Sequence, residues 1–227
     1  MRLDIMAGLQ APFRDANWPI KIAIGAALVL FSWLLIPALM LAGYGVTVTR
    51  ESAAGHTESL PEFNWVPNLI TGGMLTLGSL VLSFVPLGLM GFGAFSVIMT
   101  LASAGALTPK AFMAAFATVG TLSLGAIALG AFLLFLVAIF APALIMRFAV
   151  DGQIASLFNI PQAVSDILAS PLDYLIIFLL PNILGFAFSA FCSVTFGVGA
   201  LLTPVFAIIS CIINARLMGD YYRLCLN

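Results

Sequence analysis

From Val66 to Ala106 the chain runs for about 40 residues without one charged side chain. No water-soluble domain hides a stretch of that length, and a helix crossing a bilayer needs only about 20 apolar residues. A second run, Ala111 to Val150, is almost as bare. The whole chain is 63% hydrophobic and 7% charged, against roughly 25% charged in a soluble domain, and its mean hydropathy is +1.18. A surface so poor in charge has lipid as its solvent. Period-two alternation, the mark of a membrane β-strand, is absent. Isolated strands leave backbone groups unpaired in lipid, so the spans are helical. The expected fold class is all-α, a polytopic helical bundle forming one membrane domain over residues 1–227.

The boundaries follow from the breaks. Residues 1–17 read as an interfacial helix, with Leu3, Met6, Leu9 and Phe13 at helical spacing and Arg2, Asp4, Arg14 and Asp15 facing water. No cleavable signal peptide is evident there. Asn17 is placed to cap the next helix, with Trp18 at the headgroups and Pro19 in the first turn. Ile20 to Thr49 would make about 45 Å of helix, more than a hydrocarbon core of about 30 Å requires. It is either one kinked span or a re-entrant hairpin broken near Trp33 to Pro37. Residues 50–65 form a polar loop. Pro86 and "GLMGFG" (88–93) divide the 66–106 run into two short spans. The next run carries one main span, about 118–141, with helical extensions at both ends, or else a tight pair of spans. Residues 151–171 are amphipathic and read as short helices on the membrane surface. Two last spans, about Leu172 to Phe196 and Ala200 to Leu217, flank the turn "FGVG" (196–199). The count is about six.

Arg2, Arg14 and Lys21 precede the first span, and Arg216 and Arg223 follow the last. Positive charge favours the cytoplasmic side, so both termini are expected there. The 50–65 loop is then external if Ile20 to Thr49 crosses, and cytoplasmic if it turns back.

The chemistry-bearing residues are few. The one His, His56, stands near Glu58 and Glu62, a poor pattern for zinc, which takes three or four organised ligands. No metal site is expected. Cys192, Cys211 and Cys225 have the spacing of neither a metal site nor a disulfide framework and read as small hydrophobes. No phosphate loop or dinucleotide fingerprint occurs, so no cofactor is expected. A net charge of −1 argues against nucleic acid. Ion-coupled carriers normally carry an intramembrane acid or His; Lys21, Arg147 and Arg216 instead lie near span ends, where long side chains snorkel. The intramembrane polar candidates are Asn182, beside Pro181, and Asn214. The candidate interaction loop comprises Arg50, His56, Glu58, Pro61, Glu62, Phe63 and Trp65. Within it "SLPEFNW" (59–65) rests Leu60 and Phe63 on the membrane face, stiffens the turn with Pro61 and starts a helix at Asn64–Trp65.

Four stretches occur in order: "PFRDANWPIKIAIGAAL" (12–28), "PALMLAGYGVTVTR" (37–50), "GHTESLPEFNWVPNLITGG" (55–73) and "NARLMGDYYR" (214–223). Together with "PALIMRFAVDGQIASLFN" (142–159), they resemble the prokaryotic membrane family known as domain of unknown function 4013. In that family a Gly-Tyr and a following Arg precede a Gly, a Leu-Pro-Glu-aromatic and a Trp. Several basic residues often follow the Gly-Tyr; here only Arg50 does. The resemblance implies a multi-pass protein of a bacterial or archaeal cytoplasmic membrane and implies no reaction. The expectation from the residues is a non-enzymatic accessory or scaffold subunit whose partners are membrane lipids and other membrane proteins. The alternative is a transporter-like component for a lipid or small neutral solute, with proline kinks framing a cavity near Asn182.

Overall fold

The structure, a computed structural model, describes residues 3–56, 58–102, 108–195 and 197–226, apart from the side chains of 112, 114–116 and 118. The expected roles of Arg2, of the end of the 66–106 run and of Phe196 in the last turn lie outside them. Every regular element among the described residues is helical. The helices are α1 (Ile5–Arg14), α2 (Trp18–Leu30), α3 (Leu35–Ala53), α4 (Trp65–Ala102), α5 (Pro109–Asp151), α6 (Ile160–Ala169), α7 (Pro171–Val194) and α8 (Thr203–Tyr221). Short 3₁₀ turns at Ile154–Phe158 and Val198–Leu202 and a π turn at Tyr222–Leu226 join or end them. Among the described residues, four segments are long and apolar enough to cross a membrane: Trp65–Ala102, Val119–Asp151, Pro171–Val194 and Val198–Leu226. The chain is a helical membrane protein.

The run from Ile20 to Thr49 is two helices. α2 has 13 residues, about 20 Å, too short to cross. The break falls at Phe31–Leu34, closed by Phe31 N–H to Ala27 O and Leu34 N–H to Phe31 O. Neither Gly nor Pro stands in the turn. Its position follows from Pro37, which in a continuous helix would leave the Trp33 carbonyl without a donor. Starting α3 at Leu35 puts Pro37 in the first turn, where its missing N–H is not needed.

The 66–106 run corrects the expectation of two short spans. α4 is a single helix of 38 residues with Pro86 inside it. In water the Pro and Gly residues would favour a break. In lipid a broken helix exposes unpaired backbone groups, so the helix carries on through them. The next run does form one helix, α5, with Pro142 inside. The 151–171 segment forms the expected short helices. Asn159 caps α6 by accepting the Gln162 N–H at 3.2 Å.

The chain divides into two compact units. In the first, Met1–Gly78 with Phe140–Asn227, α8 is central and packs against α1, α2, α3 and α7. Ile22, Tyr44, Val48, Leu60, Ile208 and Ile212 share one buried cluster. α3 and α4 meet backbone to backbone: a Cβ on Gly43 would strike the Asn68 carbonyl, and one on Gly72 the Leu39 carbonyl. The second unit, Ser79–Ile139, packs the rest of α4 on the start of α5. There a Cβ on Gly93 would lie 2.6 Å from Ser123 O, and one on Gly130 2.7 Å from Pro86 O. Small residues let membrane helices approach this closely.

α1 departs from its expected facing. Its buried side is Gly8, Ala11 and Pro12, seated on α8 where Leu217 occupies the space of a Gly8 side chain. Met6 and Phe13 are exposed and form the apolar face turned away from the protein.

Candidate functional site

The 50–65 loop is built around a carboxylate. Asp15 ends α1 and is 7% exposed, not water-facing as its neighbours suggest. Its Oδ2 accepts from Lys21 Nζ at 2.7 Å and from the Leu60 backbone N–H at 2.9 Å. Its Oδ1 accepts the Asn17 N–H at 2.7 Å. Lys21 Nζ also donates to the Leu60 carbonyl. One acid and one base thus hold both backbone groups of Leu60. The Lys21 hydrogen bond, opposed by burial and aided by the Asn17 and Leu60 N–H groups, keeps the Asp15 carboxyl below its ordinary range. Lys21 is therefore a clasp rather than a snorkelling anchor. Asn17, expected as a side-chain cap, makes no cap bond.

The next residues are held from α3. Tyr44 donates its hydroxyl to the Pro61 carbonyl at 3.3 Å. Its ring stacks on Phe63 at 3.9 Å between centroids and 10° between planes. Leu60 is 6% exposed, and Phe63 packs on the same buried cluster. Both point into the protein, correcting the expectation that they rest on the membrane face. A Tyr and a Phe beside a long apolar helix fill more space inward than a loop can offer outward. Glu62 and Trp65 remain exposed. Trp65 opens α4 as expected.

The other loop residues tie the loop to the chain termini. Arg50 donates through Nε to the Ala149 carbonyl at 2.6 Å. His56 Nδ1 lies 2.7 Å from Glu51 Oε2 on the surface, so its acidic neighbour is neither Glu58 nor Glu62. Glu58 is exposed. Among the described residues no three His, Cys, Asp or Glu gather as metal ligands do. Arg216 donates to Ser52 Oγ at 3.2 Å and to the His56 carbonyl at 2.9 Å, with Asp220 Oδ2 at 3.8 Å. Arg147 makes a two-pronged bond to Asp166, both distances 2.6 Å, the strong geometry for a guanidinium and a carboxylate. Tyr221 donates to the Asp166 carbonyl at 2.6 Å. Arg147 and Arg216 thus brace segments rather than snorkel.

These bonds show how α2 and α3 are arranged. Asp15 at the end of α1 meets Leu60, and Arg216 near the end of α8 meets His56. The N-terminal helix, the 50–65 loop and the C-terminal end of α8 therefore lie together. α2 and α3 form a hairpin whose two ends lie together.

The two asparagines part company. Asn182 is exposed on α7 and donates to Phe178 O of its own helix at 2.8 Å. Asn214 lines a cavity of about 140 Å³ with Thr49, Leu75, Ile145 and Cys211, and its buried Oδ1 has no hydrogen-bond partner among the described residues.

The residues that sequence reasoning missed are Asp15, Tyr44, Asp166 and Tyr221. Asp15 and Tyr44 lie in quoted stretches of the resemblance, the Arg-Asp-x-x-Trp and the Gly-Tyr, and Tyr221 lies in "NARLMGDYYR". That membership was the available signal. Asp166 had none beyond being an acid in an amphipathic segment.

Over residues 27–197, more than half of its length, the chain matches the family described as "Protein of unknown function (DUF4013)". The 55–73 stretch falls within the match, whereas Asp15, Lys21 and "NARLMGDYYR" fall outside it. No curated protein and no solved structure matches the chain.

Proposed function

The chain belongs to the DUF4013 family, and from that premise we propose that it is a non-enzymatic accessory or scaffold subunit of a prokaryotic cytoplasmic membrane, with other membrane proteins and lipids as its partners. The observation that carries this reading is where its polar groups go. Asp15, Lys21, Arg147, Asp166 and Arg216 bond to one another or to loop backbone, which makes a braced platform rather than a reactive site. The faces left outward are apolar and carry bare glycines: a Cβ on Gly88, Gly91 or Gly125 would meet nothing within 4 Å. Such positions admit a second helix at close range.

The charge distribution supports a cytoplasmic platform. Of eight Lys and Arg, only Lys110 lies at the α4–α5 end, in the first turn of α5. The others lie in the termini, the α2 start, the loop and the end of α5. With the hairpin turned back, the bias that sets orientation is larger than a six-span count gives. Extraction in mild detergent with affinity capture tests the role. A stoichiometric membrane-protein partner is expected; a chain that emerges alone and monodisperse contradicts it.

The transporter reading keeps one observation, the cavity at Asn214. Its small size and unpaired Oδ1 fit a few waters or a small neutral solute. Solute uptake into vesicles, lost in Asn214→Leu, would favour it over the scaffold.

A further inference from the structure

Two grooves run along α2 and share Ile24 and Trp65. The first, about 330 Å³, is lined by Asn17, Lys21, Glu62 and Phe63 besides those two. The second, about 380 Å³, continues between Ala27, Leu28, Phe31, Leu34 and Pro37. The first sets Asn17, Lys21 and Glu62 among apolar side chains, Ile20 included, and the second is apolar, an amphiphile's gradient. Both lie in the first unit.

The polar end offers both signs of charge. Glu62 is exposed and forms no ion pair with the described residues. Lys21 uses two donors on Asp15 and Leu60, and an ammonium has three. The Asn17 side chain makes no cap bond. The length also fits. α2 is about 20 Å long, and one leaflet with its headgroups is about half of 40–45 Å. Trp18 at its start is 37% exposed, as a headgroup-level indole would be.

We propose that this groove seats one phospholipid with a zwitterionic, primary-ammonium headgroup. The phosphate takes the third Lys21 proton and the Asn17 amide, and the ammonium meets Glu62. One acyl chain lies along Ile24, Ala27 and Phe31 toward Leu34. The site deepens the lipid part of the proposed function and rests on that reading, while requiring no protein partner.

Trp65 reports on it directly. A Trp18→Phe, Trp33→Phe variant leaves Trp65 as the one indole. It is placed in vesicles of phosphatidylethanolamine and phosphatidylglycerol in equal parts, with dibrominated chains on one lipid or the other. Brominated phosphatidylethanolamine is expected to quench Trp65 with an apparent preference of about two- to fivefold, the range of an exposed ion pair. Glu62→Gln, on an exposed side chain, should bring the two lipids to parity. Ile24→Phe, which fills the groove without adding an indole, should lose the preference. Equal quenching in the parent protein, or a preference that survives either substitution, overturns the site. Equal quenching would still leave the partner capture above to decide the scaffold role.

Discussion

Asp15 accepts the backbone N–H of Leu60 at 2.9 Å across 45 positions of sequence. That bond, with the Lys21 bond beside it, ties the end of α1 to the loop after α3. It is why α2 and α3 must double back.

Removing the acid should therefore loosen the loop. Asp15→Asn leaves Lys21 buried without its counter-charge, and breaking such a pair costs about 3–5 kcal/mol; the low end is expected here, since Lys21 keeps the Leu60 carbonyl. Thermal denaturation in detergent measures the loss, and limited proteolysis should show new cleavage between 57 and 64. Unchanged melting and cleavage would contradict the clasp.

The same carboxyl gives a pH dependence with a definite sign. Its folded pKa lies below the unfolded value, which for Asp is about 3.9. Its contribution is complete above that value and disappears as pH falls through the lowered folded pKa. The stability gap between the parent and Asp15→Asn should stay flat from pH 7 to about 5 and close only below about pH 4. A gap that closes near neutrality would assign it to another group.

Tyr44 separates stacking from hydrogen bonding. Tyr44→Phe keeps the ring on Phe63 and loses the 3.3 Å bond to Pro61, at a cost of about 0.5–1.5 kcal/mol. Tyr44→Ala also empties a fully buried site, at a cost of about 3–5 kcal/mol. Equal losses in the two variants would mean that the ring carries no weight.

Glycines at backbone contacts should differ from bare ones. Gly43→Ala and Gly72→Ala drive a methyl into a carbonyl and should cost about 1–3 kcal/mol or more. Gly73→Ala, with nothing within 4 Å, should stay within about 0.5 kcal/mol. Detergent melting of the four proteins, parent included, checks the contrast.

Much of this architecture was legible because composition and apolar run length decide it. The 66–106 and 111–150 runs announce membrane helices, and the amphipathic pattern of 151–171 announces the short surface helices. A hairpin broken near Trp33 to Pro37 was legible only as one of two alternatives, since the turn at Phe31–Leu34 holds no Gly or Pro and is placed only indirectly by Pro37. The continuity of α4 through Pro86 was misjudged because turn signals learned in water lose force where no solvent can pair a free backbone group. In the candidate site, the loop residues were named but their bonds were not. Asp15 to Leu60 and Arg216 to His56 are long-range contacts, and a charged residue beside a Trp reads equally well as an interfacial anchor until its partner is seen.

The most direct measurement concerns the side on which the loop lies. Gln10→Cys and His56→Cys, each in a background free of Cys192, Cys211 and Cys225, can be probed in intact cells with a membrane-impermeant maleimide. Both positions are exposed. The account predicts that they behave alike: both protected in intact cells and both labelled after permeabilisation. Labelling of His56→Cys in intact cells while Gln10→Cys stays protected would place the loop across the membrane from the N-terminus and contradict the re-entrant hairpin.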